Sequence, residues 1–188
     1  MYTYVLHDTR LKGSPLINRG MVFTLNTNRS LRATLQRLRG MATSGGSGRI
    51  GELQVMCHGL AGGVHDSLTR ESTSALGFGL QLGQEGLNLS NLSMTGIIAD
   101  VFPIILLYAC GPAHTRAGFS MTVADGRRFC QELAGFTNSE VIAASQTQYY
   151  RHGKGVPINF GDWEGQVYRF SPDGSVMPHT APAHVPGA

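Results

Sequence analysis

Two short segments of this chain hold the residue types for nucleophilic chemistry. Leu53-Gln54-Val55-Met56-Cys57 runs into His58-Gly59, and Ile104-Ile105-Leu106-Leu107-Tyr108-Ala109 runs into Cys110-Gly111-Pro112. A thiol and an imidazole held together form an activated nucleophile. The imidazole takes the thiol proton, the thiolate attacks an acyl carbon, and the imidazolium returns the proton to the leaving group. An imidazolium beside a sulfur also favours the thiolate. The oxyanion needs fixed donors, and the backbone N–H groups of Gly59 and Cys110, both where a run gives way to a turn, are the candidates. Cysteines outside disulfides are usually small buried hydrophobes. That plainer reading is kept for Cys57, inside its run, and for Cys130, on the apolar face of a predicted helix.

Several elements must position this pair. An apolar run stopped by Gly-Pro predicts a strand buried on both faces, in a mostly parallel sheet with helices above and below. Chemistry in open α/β sheets sits at the carboxyl ends of the strands. If the two runs are neighbours, His58 and Cys110 emerge side by side. Tyr2–His7 and Met21–Leu25 predict further strands. Leu31, Leu35 and Leu38 fall at helical spacing after Ser30, a good N-cap, and Gly40 with the Ser44–Gly48 run closes that helix. Leu76–Leu82 and Leu87–Leu89 alternate about a Gly83–Gly86 turn, which predicts a hairpin. A short helix reaches Ala99, Thr122–Ala134 predicts another, and Glu140–Ser145 and Gln166–Phe170 predict strands. Gln146–Gly161 is read as a polar loop. The organisation expected is one domain over residues 1–171 with an unordered tail at 172–188.

The order of these motifs resembles the caspase-like (clan CD) cysteine peptidases. His58-Gly59 and Ala109-Cys110-Gly111 match the family's dyad segments, and Cys110 stands 52 positions after His58, against about 50 in caspases. The hairpin and short helix between them look like bacterial CHAT-type domains and the self-cleaving cysteine protease domains of RTX-type toxins. The resemblance covers roughly Leu53 to Phe170. It implies a caspase-like three-layer sandwich with a mostly parallel central sheet flanked by helices. It implies a cysteine endopeptidase acting on protein or peptide substrates through Cys110 and His58, without cofactor or metal. Self-processing, or activation by a small molecule or protein, goes with that reading. By position the strand after the catalytic helix lines the specificity pocket, which implicates Ser145, Gln146 and Thr147. Tyr108 stands where caspases place a glutamine, and Asp162 is the acid nearest to serving a basic side chain.

Composition narrows the rivals. The net charge of +3 is mild, and the basic residues form no dense patch interleaved with aromatics, which argues against nucleic-acid binding. No apolar run is long enough to span a bilayer. Three cysteines and no evident secretory signal suggest a reducing compartment: the cytoplasm of a bacterium, or delivery into the cytosol of a target cell. A zinc site of Cys57, His58, Cys110 and His114 is disfavoured, because adjacent strand residues point to opposite faces. A phosphate site on Ser44–Gly48 lacks the helix N-terminus such sites use. The remaining alternatives are a non-catalytic caspase-fold binding or signalling module and a thiol acyltransferase or amidase.

Overall fold

The apolar runs become the strands of one mixed sheet. A computed structural model describes residues 2–44, 51–60, 79–115, 125–146, 148–153 and 156–180. In chain order the elements are β1 (Thr3–Asp8), β2 (Gly20–Leu25), α1 (Leu31–Ser44), β3 (Glu52–Met56), β4 (His58–Leu60), β5 (Gly79–Gln81), β6 (Leu87–Asn88), a 3-10 helix (Leu92–Ile98), β7 (Ile104–Tyr108), α2 (Gly126–Thr137), β8 (Glu140–Ala144), β9 (Arg151–Gly153), β10 (Val156–Asn159), β11 (Val167–Phe170) and β12 (Val176–Pro178).

The main sheet has seven strands in the order β12-β11-β8-β7-β3-β1-β2. The five from β8 to β2 are parallel, and β11 and β12 close one edge antiparallel. The chain steps from β1 outward to β2, then returns to the other side of β1 with β3. The direction of winding therefore reverses between β1 and β3, where open α/β sheets leave a crevice at their carboxyl ends. Separate from this sheet, β4, β5 and β6 form a small antiparallel one.

Period-two alternation sorts the strands' side chains onto two faces. Tyr4, Leu6, Leu53, Val55, Ile105, Leu107, Val141 and Ala143 face a core shared with Leu31, Leu35 and Leu38 of α1, Ile98 of the 3-10 helix, and Phe129 and Leu133 of α2. Leu38 is completely buried, and truncating such a leucine to alanine costs about 2–5 kcal/mol. On the opposite face Val5, Met56 and Tyr108 pack against Leu11, Ile158 and Phe160. Ile142, Ala144 and Val167 pack there under Trp163. Among the described residues, therefore, all three helices cover one face, and the β9–β10 hairpin with its flanking loops covers the other. The α/β class and the mostly parallel sheet stand, but the second helical layer of the expected sandwich is replaced by hairpin and loop. The cause is local: the described residues of the connections 9–19 and 145–166 hold no helix.

Smaller departures have equally local causes. α1 runs through Gly40 to Ser44, because Gly40 is exposed and nothing crowds it. Ser30 shares the capping of α1 with Glu85 of the hairpin, whose carboxylate accepts from Ser30 Oγ and from the Leu31 N–H, both at 2.7 Å. α2 starts at Gly126 rather than at Thr122, where Asp125 accepts from the N–H groups of Arg127 and Arg128. Within the segment expected to be an unordered tail, Val176–Pro178 pairs with β11; residues 181–188 lie outside the described part. Among the described residues no helix is long and apolar enough to cross a membrane.

Candidate active site

Strands β3 and β7 are parallel neighbours, with Met56 opposite Tyr108. The Cys57 N–H continues the ladder to Tyr108 O at 3.2 Å. Past the ends of these two neighbouring strands, His58 follows Cys57 and Cys110 follows Ala109, so both residues stand at the carboxyl edge of the sheet. Cys57 and Ala109 pack in the helix-covered core, and His58 and Cys110 follow them directly in the chain. Both are half-buried. Cys57 and Cys130, by contrast, are 1% and 0% exposed, and burial pushes both thiols up. The plainer reading of those two cysteines holds.

The chain bends after Cys57, and His58 then belongs to the small sheet, paired with Gln81 of β5. Its Nε2 donates to the backbone carbonyl of Arg10 at 3.2 Å. A carbonyl only accepts, so this bond assigns the ring proton of neutral His58 to Nε2 and the lone pair to Nδ1. Gly59 lies directly against the main chain of Cys110: a β-carbon on it would stand 2.2 Å from Cys110 O and 3.0 Å from Cys110 N. Gly59 is thus required by a close backbone approach. The side-chain-free space serves the fit of the two chain segments before it serves a substrate.

Beyond the thiol, Gly111 takes a left-handed conformation, φ +55°. Its N–H donates to Gln146 O at 3.0 Å, and the Ala113 N–H donates to Ala144 O at 3.0 Å. The turn is therefore laced to the end of β8 and cannot lend the Gly111 N–H to an oxyanion. The backbones of Gly59 and Cys110, the two expected oxyanion donors, adjoin one another. His114 is exposed, and its carbonyl accepts from Gly126 at the start of α2 at 2.8 Å.

The expected substrate-binding residues divide. Gln146 is exposed and Ser145 half-buried, both at the end of β8 against the Cys110 turn. Ser145 Oγ accepts from the Gln166 N–H at 3.1 Å, which ties its hydroxyl to the chain leading into β11. Asp162 is exposed on the following loop. Thr147 lies outside the described residues. Tyr108 is a correction: it is 3% exposed and stacked between Phe160, at 4.8 Å, and Trp163, at 4.9 Å. Burial pushes its phenol well up. It is packing beneath the site, because its place one pleat below Cys110 points it into the sheet's second core.

Two parts of the site escaped the sequence reading. One is the Arg10 carbonyl with the turn that holds it. A backbone group has no residue-type signal, although an acid and a base two positions apart at the end of a strand were visible. The other is Trp163, the chain's one tryptophan, which overlies Tyr108, Ile142 and Ala144 beside the Cys110 turn. The loop after it meets Gln146, whose side chain would sit 2.5 Å from a β-carbon on Gly165. Among the described residues no group of three or more His, Cys, Asp and Glu is arranged to hold a metal ion. The chain matches no family model, and comparison with curated proteins and with solved structures found none similar to it.

Proposed function

We propose that this chain is a cysteine endopeptidase of caspase-like type, with Cys110 as nucleophile and His58 as proton carrier. The observation that carries the reading is the β3–β7 register, which sets side by side the two strand ends that lead into an oriented imidazole and a half-buried thiol, next to the winding reversal between β1 and β3.

In this mechanism the Nδ1 lone pair of His58 accepts the Cys110 thiol proton while Arg10 O holds the opposite side of the ring. The thiolate adds to the substrate carbonyl, and the oxyanion is met by the N–H groups of Gly59 and Cys110. Collapse expels the amine, which takes the proton from His58 and leaves an acyl-thioester on Cys110. Water activated by His58 then attacks the thioester, releases the acid and restores the thiol. Ser145, Gln146 and the Trp163 loop border the thiol on the β8 side and form the wall for the substrate's side chain. Self-processing and effector activation belong to the same proposal.

The test uses peptide fluoromethyl ketones with varied side chains, followed by mass spectrometry. Selective labelling of Cys110 that disappears in His58→Ala supports the reading, as does cleavage of a peptide library at a preferred residue. Equal labelling of all three cysteines, or of none, favours a binding module. Turnover of thioesters without peptide cleavage favours another acyl transfer.

A further inference from the structure

A buried carboxylate lies two residues before Arg10, whose carbonyl holds the His58 ring, and the dyad chemistry does not use it. Asp8 ends β1, and its side chain is 0% exposed. Its Oδ1 accepts from the Arg10 N–H at 3.1 Å and from Arg10 Nε at 2.8 Å. Its Oδ2 accepts from Arg10 Nη2 at 2.7 Å and from the Gly83 N–H at 2.8 Å. Arg10 Nη2 donates in turn to Gly83 O at 2.9 Å. A closed ring of hydrogen bonds thus joins the turn after β1 to the turn after β5.

His58 is gripped from both sides of this ring. Its Nε2 donates to Arg10 O, and its backbone pairs with Gln81, two residues before Gly83. The same turn is closed by the Leu11 N–H on Asp8 O at 3.0 Å and by His7 Nε2 on Leu11 O at 2.9 Å. Gly83 lies close against the chain at Arg29, where a β-carbon on it would stand 2.6 Å from Arg29 O.

We propose that Asp8 is a positioning residue for the His58 ring, an inference that rests on the reading of His58 as the base for Cys110. Through Arg10 and Gly83, Asp8 fixes both the carbonyl that selects the Nε2–H tautomer and the strand that carries the imidazole. A carboxylate suits the task because it accepts from four donors at once, two of them in the fork geometry of a guanidinium. An amide in its place turns an NH₂ group toward a cation. A buried ion pair adds little net stability over an apolar pair of equal volume; what it supplies here is a fixed geometry.

The test compares the wild type with Asp8→Asn and Arg10→Gln, and with Arg169→Gln as a control that breaks the Arg169–Glu140 pair at the far end of β8. The tautomer of His58 is read by ¹⁵N NMR of histidine-labelled protein, and Cys110 alkylation by iodoacetamide is followed across pH. Wild type and control should show the Nε2–H form. Both site variants should raise the Nδ1–H fraction severalfold, shift the pH profile of alkylation and slow it at neutral pH by about 3- to 10-fold, the equivalent of one hydrogen bond. A wild-type tautomer and pH profile in the folded site variants overturns the proposal. If Asp8→Asn does not fold, Arg10→Gln decides, because that guanidinium is 24% exposed and its loss leaves the carboxylate its two backbone donors. A shifted tautomer in a protein that cleaves no peptide supports the positioning role while overturning the peptidase reading.

Discussion

Gly59 and Cys110 touch through their main chains, so closely that a single methyl group on Gly59 would overlap the Cys110 carbonyl at 2.2 Å. Gly59→Ala must therefore push β4 away from the turn that holds the thiol. The expected outcome is a loss of fluoromethyl ketone labelling of at least about 100-fold, the scale on which misplacing a catalytic group acts. Stability should fall by about 1–3 kcal/mol, as for an overpacked core. Labelling kinetics and urea unfolding of the same sample check both. A fully active Gly59→Ala protein would show that the two backbones part without consequence.

The three cysteines should differ sharply toward a small alkylating reagent. Cys57 and Cys130 are buried, and burial pushes their thiols up, so neither offers a thiolate near neutral pH. Cys130 also donates to Pro112 O at 3.2 Å. Iodoacetamide followed by peptide mapping should modify Cys110 alone in the folded protein, and all three in urea.

Tyr108 and Trp163 separate packing from recognition. Tyr108→Ala removes a ring held between two others and should cost about 3–5 kcal/mol in urea unfolding. Trp163 is half-buried at the edge of the same stack. Trp163→Ala should leave the fold in place, and steady-state kinetics should show KM raised more than kcat is lowered.

His7 sets a pH dependence of stability. The residue is 2% exposed, and burial lowers its pKa by more than the Leu11 carbonyl and the Asp8 charge raise it. Just below the ordinary histidine value of about 6.5 the unfolded chain binds a proton that the folded chain refuses. This contribution is complete above that value and declines as pH falls through the lowered one. His179, lowered by burial and by Arg169, adds to the same window. Asp8 acts further down: burial raises it, but the hydrogen bonds from Arg10 and Gly83 outweigh that and hold it low, so its contribution persists above about pH 3.9 and is lost below. Urea midpoints should fall between about pH 7.5 and 5.0, and less steeply in His7→Phe.

The strand ladder was legible because Ile104–Tyr108 and Leu53–Cys57 are continuous apolar runs whose punctuation, Gly-Pro and His-Gly, marks where they stop. The hairpin turn at Gly83–Gly86 was legible from glycine spacing. The layer on the second face was not. β9, β10 and β12 are three or four residues long, polar or interrupted by Pro157 and Pro178, and their pairing depends on partners remote in the chain. The start of α2 was misplaced because Asp125, its cap, lies past an apolar stretch that mimics a first turn. At the candidate site, His58 and Cys110 could be singled out from residue type and from their place at the ends of two apolar runs. Tyr108 was misassigned because position relative to a cysteine does not tell whether neighbours from elsewhere in the chain will cover a ring.

The bend at Cys57 assigns the proposed nucleophile and base to different sheets. The sulfur is carried by the seven-stranded sheet, while the imidazole rides on the three-stranded one. Their spacing is therefore set by what fastens one sheet to the other: the hydrogen-bonded ring of Asp8, Arg10 and Gly83, and the main-chain approach of Gly59 to Cys110.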